Sequence, residues 1–141
     1  MSTNPPLPSL AGAGLLLLAL AAGCSSAPDR HPVETQVVVL STAHASAPLS
    51  IGLFSAVRIV LPGPETASGY LWEIGSNNTR VLEQMGPLKP AAAVPGQPPT
   101  TTVSFYTLKP GRSALRFFLV VPDERDTVPL ASCELTVRVR D

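Results

Sequence analysis

The sequence predicts an all-β domain, a sandwich or barrel of about seven short strands, and three observations carry that expectation. Apolar and β-branched runs recur with turn residues between them. Several runs alternate apolar with polar residues, the period of a half-buried strand, and helical periodicity is nowhere sustained. The runs lie at 36–41, 56–61, 70–74, 81–85, 101–106, 114–121 and 132–140.

Within them Val57, Ile59 and Leu61 share one face, Tyr70, Trp72 and Ile74 another, and Leu115, Phe117, Leu119 and Val121 a third; these faces are expected to form the core. In the last run Cys133, Leu135, Val137 and Val139 alternate with Glu134, Thr136, Arg138 and Arg140, which points Cys133 inward. A reactive thiol is the alternative, but nothing nearby supplies a base. With Cys24 the only other cysteine and placed in the leader described below, a disulfide is not expected.

The connections follow from turn chemistry. Pro62-Gly63-Pro64 is expected to end one strand, and Lys109-Pro110-Gly111-Arg112 to turn tightly between two others. The longest connection is 86–99, where Pro87, Pro90, Pro95, Pro98 and Pro99 fix φ and remove amide donors, which excludes a central strand. Such a stiff loop loses little entropy on docking, so it reads either as a preorganised binding edge or as a plain connector.

Composition narrows the function. A chain of 141 residues holds one globular domain and little else. Ten basic residues balance ten acidic ones and no basic patch appears along the chain, which argues against a nucleic-acid partner. His31 falls in a tether and His44 in a Ser/Ala-rich loop, far from any acid–base constellation, so catalysis is not expected. Two isolated histidines offer no metal-ligand spacing, and the acidic trio Asp123, Glu124 and Asp126 is interrupted by Arg125; that stretch reads as a solvated turn. No glycine-rich phosphate loop follows a strand, and no cofactor is expected. A monomeric binding domain remains.

The first residues read as an address. Residues 10–23 are apolar or small and carry no charge, too short for a comfortable membrane span but of the length of a signal-peptide core. The string Leu20-Ala21-Ala22-Gly23-Cys24 resembles the lipobox of bacterial lipoproteins. That resemblance implies a signal peptide over 1–23, acylation of Cys24, a lipidated tether over 24–32 and a folded domain over 33–141. The segment Met1-Ser2-Thr3-Asn4-Pro5 lacks the usual Lys or Arg, which leaves the amino terminus to supply the charge or the start elsewhere. By resemblance to enteric lipoproteins, Ser25 after the cysteine, in place of Asp, implies the outer rather than the inner membrane of a bacterial envelope. The alternative is that Cys24 is an ordinary small residue of an uncleaved apolar helix.

The stretch 61–74, LPGPETASGYLWEI, resembles the segment of chagasin-type cysteine-protease inhibitors that carries NPTTGY followed by an aromatic strand; Gly69, Tyr70 and Trp72 coincide with it. Downstream the order agrees over roughly 33–141: a loop in place of the family's GxGG motif, a strand through Phe105, the turn Lys-Pro-Gly, the strand around Phe117 and a loop in place of its RPW motif. The resemblance implies an immunoglobulin-like β-sandwich of about seven or eight strands, with three loops at one end that wedge into the cleft of a papain-like cysteine peptidase. Carried over by position, the loop residues are Thr66, Ala67, Ser68 and Gly69 in the first, Gly96, Gln97, Pro98 and Pro99 in the second, and Pro122 and Asp123 in the third. Glu65, Thr66, Ala67 and Ser68 stand where the family has Asn, Pro, Thr and Thr; the second loop keeps one glycine of its motif and the third keeps the proline but neither Arg nor Trp. Gly69 suits a loop end that needs positive φ, while Tyr70 and Trp72 are expected to anchor the loop to the core. A non-inhibitory envelope lipoprotein, using the same loops or a strand edge for adhesion, is the alternative.

Overall fold

Alternating strands of this kind bury one face each and need a second sheet to cover it. The computed structural model describes residues 31–64, 69–91, 94–122, 124 and 128–141. Residues Pro32–Asp141 form one compact unit that contains its own core and all its strand pairings, as an independently folding domain does. Its strands are β1 (Thr35–Val39), β2 (Leu49–Gly52), β3 (Ala56–Pro62), β4 (Leu71–Ser76), β5 (Leu82–Pro90), β6 (Thr100–Thr107), β7 (Gly111–Val120) and β8 (Ala131–Arg140). They make two four-stranded sheets in the orders β1-β3-β6-β5 and β2-β8-β7-β4. This is the all-β, immunoglobulin-like sandwich that the sequence and the family resemblance imply.

The expected faces meet between the sheets except at Val121, which follows the end of β7, half-buried and outside the core. Val57, Ile59, Leu61, Leu115, Phe117 and Leu119 are buried, as is Trp72, with Tyr70 and Ile74 half-buried against them. Phe105 of the first sheet and Phe117 of the second pack edge to face at 6.5 Å, a favoured aromatic geometry. Buried hydroxyls are satisfied: Thr107 Oγ1 donates to Gly52 O at 2.9 Å and accepts from the Ser55 N–H at 2.9 Å, tying the sheets together at one end.

Two expectations need correction. Residues 49–52 fall outside the seven expected runs and are nonetheless a strand; they pair in parallel with β8, Leu49 opposite Val137 and Ile51 opposite Val139, and it is that docking that makes so short a segment extended. The connection expected over 86–99 is shorter, because β5 continues through Pro87 to Pro90. The prolines are tolerated because β5 is an edge strand with β6 as its one neighbour, and its register shifts between Met85 and Lys89, beside Gly86 at φ 85°. The expected turn at 109–112 is present, and it carries the chain from β6 in one sheet to β7 in the other. Gly111 there has φ 149°, and a Cβ on it would lie 2.9 Å from Val81 Cγ2.

The registers sort the connections between two ends. Pro62 pairs with Thr100, Leu71 with Val120 and Leu119 with Ala131, so the β3–β4, β5–β6 and β7–β8 loops leave the same end. At the opposite end lie the starts of β1, β3 and β7 and the ends of β2 and β8: Thr35 pairs with Ala56, Gly52 with Arg140 and Gly111 with Val139. No basic patch is visible along the chain, yet pairing assembles one there, since Arg112 faces Arg138 across β7 and β8, two residues from Arg140. Residues distant in sequence become neighbours through register.

Candidate functional site: the loop end of the sandwich

The first loop springs from Pro62 and is held at its base by both sheets. Trp72, 5% exposed on β4, donates its Nε1–H to Pro62 O on β3 at 3.0 Å, bridging the sheets beneath the loop. The next residue, Gly63, donates its N–H to Pro99 O at 2.8 Å, and its carbonyl accepts from Thr101 Oγ1 at 2.9 Å. The bases of the first and second loops are thereby one hydrogen-bonded unit. Tyr70 packs against the core and Gly69 stands exposed before it at φ 80°, a conformation that disfavours any side chain.

The second loop closes through the Ala91 N–H, which donates to Thr100 O at 2.8 Å. Its turn carries the Gln97 N–H to Val94 O at 3.0 Å, with Gly96 at φ 84°. Gly96, Gln97 and Pro98 are exposed, Pro99 half-buried. The third loop closes where the Leu130 N–H donates to Leu119 O at 2.9 Å, and Pro122 is exposed in it. Thr66, Ala67, Ser68 and Asp123, like Cys24, lie outside the described residues.

Sequence reasoning missed the apolar character of this end. Val128 is 90% exposed and Leu130 61%, with Leu71 and Val94 exposed in or beside the first and second loops. The alternation of Tyr70, Trp72 and Ile74 already put Leu71 on the outer face of its strand, whereas nothing in the sequence separated Val94, Val128 and Leu130 from core positions. A shallow apolar hollow of about 340 Å³ also opens here, between Val39 and Val60 on one side and Pro62, Pro98 and Pro99 on the other. Apolar groups held in water on a rigid base can be covered by a partner at little entropic cost.

His44 is brought nearer to other chemistry than the sequence suggests. It lines a hollow of about 310 Å³ with Ser41, Ser46, Cys133, Glu134 and Thr136, because the 41–48 segment runs beside the start of β8. No hydrogen bond among the described residues links His44 to Cys133. Burial instead pushes the Cys133 thiol above its ordinary value of 9.0, the reverse of what a nucleophile needs. The unfolded chain ionises first, so this thiol's contribution to stability is complete below pH 9.0 and lost as pH rises above it. Cys133 is expected to resist a maleimide reagent in the native protein at neutral pH and to react when the domain is unfolded in guanidinium, as a mass shift would show.

Fold and site together define a loop-presenting immunoglobulin-like sandwich. The structure of EhICP2 from Entamoeba histolytica, described as a cysteine protease inhibitor, superposes with a TM-score of 0.61 at 21% identity, covering 78% of this chain and 100% of that one. The solution structure of amebosin is similar at a TM-score of 0.53 and 15% identity, again over 78% of this chain and 100% of its own. PbICP-C, solved in complex with falcipain-2, aligns at 0.49 and 14%, covering 82% and 95%. No family model and no curated protein sequence matches the chain.

Proposed function

We propose that the chain is a membrane-tethered protein inhibitor of papain-like cysteine peptidases, anchored through lipid on Cys24 in a bacterial envelope and blocking the active-site cleft with three loops. The observation that carries this reading is the union of the first two loop bases through Gly63 and Pro99, over the Trp72 bridge, with the third loop beside them. A cleft-blocking loop must be stiff, so that its backbone covers the catalytic cysteine without settling into the register of a substrate, and shared hydrogen bonds supply that stiffness. The chagasin-type pattern at Gly69, Tyr70 and Trp72 and the described activity of EhICP2 support the same target class.

The test is direct. Unacylated residues 25–141, titrated into papain and a cathepsin-like enzyme, are expected to inhibit at or below micromolar protein and to be recovered uncleaved; absence of inhibition at that concentration removes the reading for this class. Exposed Val37 and Val39 on the edge strand β1 favour a second reading, an envelope protein-binding module. Affinity capture from envelope extracts separates the two: a peptidase supports the first, a structural protein the second.

A further inference from the structure

The end of the sandwich opposite the loops carries chemistry that peptidase inhibition does not use. Arg112 and Arg138 stand directly opposite each other on adjacent strands, a like-charge pairing that disfavours the fold, and Arg140 follows on the same face of β8. All three are exposed, and none has an ion-pair partner among the described residues, whereas Arg116 further along β7 pairs with Glu134 at 3.5 Å. Exposed Lys109 and Arg80 lie at the same end. The Leu108 N–H donates to Val81 O at 2.8 Å, and Asn78 Nδ2 donates to Arg112 O at 3.2 Å, so the turns bearing them abut the start of β7. Asp141 lines the same hollow as the arginines, and exposed Glu34, whose carbonyl accepts from the Ala56 N–H, is a second acidic group at this end, on the Val33 side.

Beside the cations an aromatic ring is held in water. Phe54 is 53% exposed and sits at φ 56°, a backbone conformation that a bulky residue adopts only under constraint. The Val33 N–H donates to its carbonyl at 2.8 Å, and Val33 is itself 78% exposed. Thr107 Oγ1 links this corner to Gly52, which pairs with Arg140. Cations with an adjacent exposed aromatic and aliphatic pair are the composition of a surface that enters a headgroup layer.

We propose that this end is a docking face for an anionic phospholipid surface, with the arginines on headgroup phosphates and Phe54 and Val33 at the acyl boundary. Charge complementarity selects that occupant over a neutral protein surface. The chain enters the sandwich at this same end, and an extended segment from Cys24 to Val33 reaches at most about 30 Å. Docking and anchor together would aim the three loops away from the membrane; that orientation rests on the lipid-anchor reading of Cys24, while the docking face does not.

The experiment uses unacylated residues 25–141 with vesicles of phosphatidylcholine and phosphatidylglycerol in equal proportion, against phosphatidylcholine alone. The protein is expected to sediment with the anionic vesicles only. Replacing Arg112, Arg138 and Arg140 together by alanine is expected to lower the partition constant about 100-fold, from about fivefold per charge, and Phe54→Asn, which keeps positive φ accessible, about tenfold. Removing the like-charge pair leaves the melting temperature unchanged or higher, so lost binding is not lost folding. Sedimentation unaffected by the triple substitution overturns the proposal, as does equal binding to neutral vesicles. Displacement from the vesicles by millimolar inorganic phosphate at matched ionic strength overturns it in favour of a soluble-anion site, and equal retention on a DNA oligonucleotide in favour of an indiscriminate polyanion site. Labelling of the full chain with palmitate, abolished by Cys24→Ala, tests the anchor separately, and neither assay depends on peptidase inhibition.

Discussion

Trp72→Ala is expected to destabilise the domain by about 3–5 kcal/mol and to lower its melting temperature by roughly 10–20 °C. The side chain is 5% exposed and lies where the two sheets converge beneath the first loop. Truncation empties a large volume that the strands around it cannot collapse to fill, since Leu119 opposite it is also held by β8 through its pairing with Ala131. It also removes the donor to Pro62 O, the residue before the Gly63 link to the second loop. Trp72→Phe separates these effects: it keeps most of the volume and loses the hydrogen bond, so a cost of about 1 kcal/mol is expected. Calorimetry of the three proteins checks this, and an alanine variant as stable as its parent would show that Trp72 does not brace the loop end.

The second large effect falls on the opposite kind of residue. Val128→Asp with Leu130→Asp is expected to weaken inhibition of a papain-like peptidase about 100-fold while leaving the melting temperature nearly unchanged. Both side chains stand in solvent, so their replacement removes almost no packing within the domain. In a complex each would have to bury a carboxylate where an apolar group had been covered. Removing an apolar anchor from the centre of an interface costs about 2 kcal/mol or more, each 1.4 kcal/mol being about tenfold. Inhibition constants and thermal melts on the same preparations read the two quantities separately. Unchanged inhibition would take the third loop out of the interface.

Much of the architecture was legible because strands announce themselves by period. The alternation at Val57-Ile59-Leu61 and at Leu115-Phe117-Leu119 is a local property, and it identified both inner faces. Trp72 and Tyr70 were legible as anchors because large aromatics on an alternating strand have few other places to go. The segment Leu49–Gly52 escaped because four residues ending in glycine carry too little pattern to declare a strand, and its pairing partner lies near the far end of the chain. The extension of β5 through Pro87 and Pro90 escaped for a different reason: proline excludes a central strand but not an edge, and whether a strand is an edge is decided by the sheet around it.

The loop residues divide in the same way. Gly69 was visible because positive φ is a demand on one residue, which only the residue itself can meet, and Gly96, at φ 84°, was visible only through its place in the family's second-loop motif. The exposure of Val128 and Leu130, the Gly63–Pro99 link and the Arg112–Arg138–Arg140 cluster were not visible, because each depends on which strands lie side by side and in what register. The sequence by itself determined the all-β class, the inner faces, the turn chemistry and the family resemblance, all properties of short stretches of chain. Tertiary structure alone decided the strand orders and registers, the hydrogen-bonded union of the first two loop bases and the gathering of exposed cations at the opposite end. Pairing two strands joins residues that are far apart in the chain, and no local pattern specifies the partner.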